Sequence, residues 1–121
     1  MINTIILKND QEIFDKECAT NLCIGAMVGI EVPQLRFIYV ILNYKNLVAK
    51  IGMTKNLERR FTQLQTANVD SLELGAYFIG YKEDEKKLHK LLKSKRIRGE
   101  WFRLDTELMN TVNQYMRERN K

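Results

Sequence analysis

At 121 residues the chain is long enough for one hydrophobic core and short for two. An apolar content of 45% with charges of both signs excludes a disordered chain, while a formal charge of +5 and a pI near 9.3 suit a polyanionic partner. The longest apolar-rich stretch, Leu22 to Ile30, is too short to cross a bilayer and lacks the charged start of a signal peptide, so no membrane association is expected.

Residues 1–34 read as an N-terminal extension of unknown role, ahead of a domain over 35–121. Ile2, Ile5, Ile6 and Leu7 predict a short strand, Asn9 or Asp10 a cap for a helix to about Cys23, and Gly25, Gly29 and Pro33 a connector. This segment could add a strand and helix to the core or serve dimerisation. Cys18 and Cys23 have no second ligand pair, and the lone His89 cannot complete a zinc site with them, so reduced, half-buried thiols are expected.

From Phe37 the chain predicts a β-hairpin. Ile38, Val40 and Leu42 alternate with Phe37, Tyr39 and Ile41, and after Asn43-Tyr44-Lys45-Asn46 a second run alternates Leu47, Ala49 and Ile51 with Val48, Lys50 and Gly52. With that loop, Leu42 pairs with Leu47, Ile38 with Ile51, Phe37 with Gly52 and Tyr39 with Lys50. One face is aliphatic; the other sets a phenol and an amine about 5 Å apart at Cβ.

Asn56 is a good cap for a helix to about Thr66, with Leu57, Phe61 and Leu64 as its packing stripe. Arg60 falls inside that stripe, which is costly without an anionic partner, whereas Arg59 points away. A strand over Leu72–Gly80 follows, then a helix from Glu83 to about Lys95 packing on Leu88, Leu91 and Leu92. Glu85 and His89 stack along one edge of that helix. Lys82, Lys86, Lys87, Lys90, Lys93, Lys95, Arg96 and Arg98 form a basic cluster beside it. A strand over Glu100–Leu104 and a helix from an Asp105 cap to about Arg119 close the chain. The fold class is α/β: a small, mainly antiparallel sheet flanked by helices, in the order hairpin, helix, strand, helix, strand, helix.

These residues resemble the GIY-YIG nucleases. Phe37-Ile38-Tyr39 stands where that family has G-I-Y, and Lys50-Ile51-Gly52 where it has Y-I-G; Thr54, Asn56-Leu57 and Arg60 follow. Glu85-Lys86-Lys87-Leu88-His89 and Gly99-Glu100-Trp101-Phe102 resemble the E-x-x-L-H and G-E-W-F motifs of the branch common in phage and large-virus genomes. The match runs from about Leu35 to Leu108. Phe37 departs from the first glycine, and Lys50 from the second tyrosine, as is usual in that branch.

The resemblance implies a metal-dependent endonuclease hydrolysing phosphodiester bonds in DNA, with RNA not excluded, in the cytoplasm of a cell, the host's if the protein is viral. Glu85 would hold Mg²⁺ or Mn²⁺. Arg60 would grip a nonbridging phosphate oxygen. Tyr39 would position or deprotonate the water, with Lys50 either lowering the phenol pKa as a cation or acting as the base, and His89 sharing proton transfer or binding substrate. Lys55, Arg59, Lys86, Lys90, Arg96 and Arg98 would contact nucleic acid, while Glu100 and Trp101 read as sheet residues that support the fold. The alternative is a non-cleaving nucleic-acid-binding or regulatory module; a structural role would use the N-terminal segment. A homodimer or a specificity partner fits a catalytic domain of this size.

Overall fold

The fold comes from a computed structural model that describes residues 4–28 and 34–119, with side chains over 7–19 and 34–119. Helix α1 (Thr4–Val28) precedes strands β1 (Arg36–Asn43) and β2 (Val48–Thr54), helix α2 (Leu57–Thr66), strand β3 (Glu73–Gly80) and helix α3 (Lys82–Leu91). A 3₁₀ turn over Lys93–Lys95, short strands β4 (Arg96–Arg98) and β5 (Trp101–Arg103), and helix α4 (Thr106–Arg119) follow. The five strands form one antiparallel sheet in the order β3-β1-β2-β5-β4.

The interior strand β1, between β3 and β2, is buried on both sides from Phe37 to Asn43, which is why it reads as a nearly unbroken apolar run. On one face Ile38, Val40, Leu42, Ala49 and Ile51 pack with Leu88 and Leu92 of α3 and Leu108 and Val112 of α4. On the other, Phe37, Tyr39 and Ile41 pack with Leu7 and Phe14 of α1 and Leu57 of α2. The sheet is thus the middle of three layers.

The N-terminal segment departs from expectation. Thr4 to Val28 is one continuous helix, so Ile5, Ile6 and Leu7 form no strand, Asn9 and Asp10 lie within a helix instead of capping one, and Gly25 is helical. Ile2, Gly29 and Pro33 lie outside the described residues. The helix is ordered by tertiary contacts that local pattern does not encode. Phe14 stacks on Phe37 with ring centroids 4.6 Å apart. The Tyr77 hydroxyl donates to Asp10 Oδ2 at 2.5 Å. Gln11 reaches the turn before α2, its Nε2 donating to the Lys55 carbonyl at 2.8 Å and its Oε1 accepting from Leu57 N–H at 3.4 Å. Cys18 is a free, half-buried thiol, and the Cys23 side chain is outside those described.

The hairpin forms, but two residues out of the expected register. Tyr39 lies across from Gly52, Ile38 from Met53, Phe37 from Thr54, and Lys50 from Ile41. The loop is residues 44–47, with Leu47 taking a φ of 53° and so continuing the turn where a leucine would be read as strand. Asn43 stabilises it, its Oδ1 accepting from Asn46 N–H at 3.1 Å and its Nδ2 donating to Asp70 at 3.2 Å. A slip of two keeps every side chain on its face. Tyr39 and Lys50 therefore share a face as diagonal, not directly opposed, neighbours.

Both caps read from sequence are present: Asn56 accepts from Arg59 N–H at 3.0 Å, and Asp105 from Leu108 N–H at 2.8 Å. The third helix stops at Leu91, which is exposed, and the basic cluster loses a member. Lys95 is buried and held by Asp105 Oδ2 at 2.6 Å and Glu107 at 3.3 Å, so it serves the fold. Strand β4 was hidden by its brevity; it doubles back onto β5 through Gly99, whose φ of 55° favours glycine.

Candidate functional site

The polar side chains singled out by sequence gather around Gly52 of β2. Tyr39 is fully buried. A Cβ at Gly52 would lie 2.5 Å from the Tyr39 hydroxyl and 2.9 Å from Glu100 Oε2, so only glycine lets the phenol and the carboxylate approach one another there. The Gly99 turn and a hydrogen bond from Ile51 N–H to the Glu100 carbonyl at 3.0 Å place Glu100 beside β2. Its carboxylate lies 3.4 Å from Lys50 Nζ, which also sits 5.2 Å from the centroid of the Trp101 ring.

Arg60 enters from α2. It is half-buried while Arg59 is exposed, as the stripe of Leu57, Phe61 and Leu64 requires. Among the described residues no carboxylate forms an ion pair with Arg60. Its charge acts instead on Tyr39. Burial pushes the phenol up to about 12; Arg60 works against that shift, and the charges of Glu100 and Glu85 add to it. The guanidinium approaches the hydroxyl closely enough to favour the phenolate, but not in a geometry that makes a well-formed hydrogen bond, so the buried Tyr39 oxygen has no partner among the described residues.

Glu85, in the first turn of α3, has the second such atom: its Oε2 is buried and unpartnered. Burial raises its carboxyl pKa, and the nearby negative charge of Glu100 raises it further, against the opposing pull of His89, Lys82 and Lys50. His89 lies one turn along and packs against Phe102, with ring centroids 5.0 Å apart and planes tilted by 57°. Its Nε2 is 2.9 Å from the Ile51 carbonyl oxygen. A carbonyl only accepts, so His89 donates from Nε2 and ties α3 to β2, which gives it a structural task beside any chemical one.

Lys55, Arg59, Lys86, Lys90, Arg96 and Arg98 are all exposed, and Arg96 spends its Nε on the Gly99 carbonyl at 2.7 Å. The fold brings Tyr39, Lys50, Arg60 and Glu85 into one electrostatically coupled cluster, with Glu100 as the member that sequence reasoning assigned to the fold alone. Its signal was the glycine before it, which marks a turn able to deliver a side chain to a neighbouring strand. For a divalent cation the fit is that of a hard ion held by few protein ligands. No group of three or more His, Cys, Asp or Glu converges among the described residues, and the orphaned Glu85 Oε2 is an available carboxylate oxygen. An ion of the Mg²⁺ kind takes one or two carboxylates and fills its octahedron with water and phosphate oxygens.

No helix among the described residues is long and apolar enough to cross a membrane. Comparison with curated proteins gives no match, and comparison with solved structures gives none. One family model matches, that of the T5orf172 domain, over residues 36–118. This overturns the resemblance to the GIY-YIG nucleases, which no model supports. The likeness rested on short segments, and Phe37 and Lys50 depart from the two motifs that give that family its name. The T5orf172 domain is nuclease-like and nucleic-acid-associated. Because the match takes in every strand, α2, α3 and all but the last residue of α4, with the cluster around Gly52 inside it, the chain belongs to the T5orf172 domain family.

Proposed function

We propose that the protein is a metal-dependent endonuclease that hydrolyses phosphodiester bonds in DNA at the cluster around Gly52. The observation that carries this reading is the pair of buried, unpartnered oxygens, Tyr39 Oη and Glu85 Oε2, beside an Arg60 that no carboxylate neutralises among the described residues. Buried polar atoms normally find partners, so a site with two lacking them, together with an unpaired guanidinium, is suited to a polar ligand bringing negative charge and a cation. The nucleic-acid association of the family and the excess of basic residues support a phosphate backbone as that ligand.

In this reading Arg60 binds nonbridging phosphate oxygens and strengthens its hold as charge grows on them. Tyr39, with its phenol near 12, stays protonated at neutral pH; it donates a hydrogen bond and orients water or phosphate instead of acting as a phenolate base. Lys50 adds positive charge on the same face, and Glu85 holds Mg²⁺ or Mn²⁺. Such an ion, when bound, acidifies water and neutralises charge on the phosphate. Lys55, Arg59, Lys86, Lys90, Arg96 and Arg98 hold the DNA backbone.

A non-cleaving nucleic-acid-binding module is the second reading, favoured by the complete burial of Tyr39, which keeps its hydroxyl from substrate unless neighbouring side chains move. Incubation of plasmid and oligonucleotide DNA with the protein in Mg²⁺, Mn²⁺ or EDTA separates the two. Metal-dependent nicking that Glu85→Gln abolishes is expected. Binding without cleavage in every metal would overturn the nuclease in favour of the module.

A further inference from the structure

The side chain of Lys50 is flanked by two consecutive residues. Glu100 places its carboxylate 3.4 Å from the ammonium nitrogen, and Trp101 lies 5.2 Å from it at the ring centroid. Trp101 is the direct cross-strand partner of Lys50 between β2 and β5, while the Gly99 turn and the Ile51 N–H bond to the Glu100 carbonyl fix the preceding residue. An extended lysine on an open sheet face would sample many rotamers. This one has a side chain only 16% exposed.

We propose that Glu100 and Trp101 form a clamp that positions Lys50 for the reaction, the carboxylate holding the ammonium from one side and the indole face from the other. The clamp depends on the nuclease reading for its purpose and on the fold for its geometry. A half-exposed ion pair contributes little to stability. An ammonium over an aromatic face likewise contributes only modestly. What the two contacts supply together is direction: Lys50 Nζ is kept beside the Tyr39–Glu100 approach over Gly52. Both residues are positioning residues, since they act through Lys50.

Three readouts test this in the full chain. Acetylation of Lys50 by acetic anhydride, followed by mass spectrometry, reports release of the amine. Emission of Trp101, the chain's single tryptophan, reports loss of the charge over its ring. Plasmid nicking in Mg²⁺ gives kcat and KM. Glu100→Gln should label Lys50 several times faster than wild type, change the Trp101 emission and lower kcat by about 10²-fold with KM little changed, as expected when a charge that acts in the transition state is displaced. Glu100→Asp should recover part of kcat. Wild-type labelling of Lys50 in folded Glu100→Gln would overturn the clamp, and faster labelling with unchanged kcat would overturn its positioning role. Should Glu100→Gln fail to fold, Trp101→Leu poses the same question from the other side, and unchanged Lys50 labelling there is again fatal to the proposal. A wild-type protein that protects Lys50 but does not cut DNA upholds the clamp and overturns the nuclease.

Discussion

Asp84 and Glu85 are neighbours in the first turn of α3 and carry the same functional group, but the fold treats them in opposite ways. Asp84 uses both oxygens: Oδ1 accepts from the Tyr115 hydroxyl at 2.5 Å and from Arg119 Nε at 2.9 Å, and Oδ2 from Tyr81 N–H at 2.8 Å. Burial alone would raise its pKa, yet these bonds, led by Arg119, hold it below the usual carboxylate range. Glu85 has a buried oxygen with no partner and a pKa pushed up by burial and by Glu100. The first acid completes itself within the chain and locks α3 to α4. The second is left incomplete by the chain, and its proposed role as a ligand rests on that difference.

The sharpest test of that contrast is to neutralise each acid in turn. Glu85→Gln should lower DNA nicking by about 10³-fold or more, the several kcal/mol that a bound cation contributes, with the melting temperature unchanged or higher. Asp84→Ala should leave nicking per folded molecule near wild type. If both substitutions damaged activity equally at equal folded concentration, the contrast would be false.

Arg60 and Arg59 extend the comparison to α2. Arg60→Ala should reduce the rate at saturating DNA by about 10²-fold, whereas Arg59→Ala should weaken binding and flatten its salt dependence without altering the rate. Equal rate losses would show that half-burial beside Tyr39 confers no special role on Arg60.

A smaller effect is expected on stability. Asp84→Ala strands the Tyr115 hydroxyl and the Arg119 guanidinium and should cost about 1–3 kcal/mol in urea unfolding. The smallest effect concerns pH. The folded pKa of Glu85 is raised, so the native state binds the extra proton and stability falls as pH rises through that value. Asp84, with a lowered folded pKa, contributes stability above its unfolded pKa that is lost as pH falls through the folded one. Melting curves in EDTA should therefore show Glu85→Gln gaining on wild type as pH rises above the ordinary glutamate pKa. A constant difference across that range would mean that Glu85 is not strained.

Much of this was legible in the chain itself, where the signal is local. Asn56 and Asp105 cap their helices as their side chains and positions require, and the phase that buries Leu57 also separates Arg60 from Arg59. The alternation of β1 and β2 sorted Tyr39 and Lys50 onto one face even though the register was off by two, because a strand's faces repeat every second residue. What failed was non-local. A leucine at φ 53° in the hairpin loop has no sequence signature, and the pairing of Glu100 with Lys50, 50 positions apart in the chain, is decided by a turn and a strand pairing that local pattern does not encode. Family membership failed for a related reason: a few residues at plausible spacing are compatible with more than one ancestry, and only the match over 36–118 discriminated.

The helix α1 has a consequence for where this protein can be divided. It precedes the residues that the family model matches, yet Leu7 and Phe14 lie in the same hydrophobic cluster as Phe37, Tyr39 and Ile41, and Gln11 holds both sides of the turn that leads to Arg60. Burying a phenylalanine contributes roughly 1.5–3 kcal/mol, a sizeable part of what keeps a small domain folded. The limit that inheritance draws at Arg36 thus runs through the middle of one packed interior. A fragment trimmed to the matched region would present the back of Tyr39's strand to water, and its behaviour would report on an opened core instead of on the site.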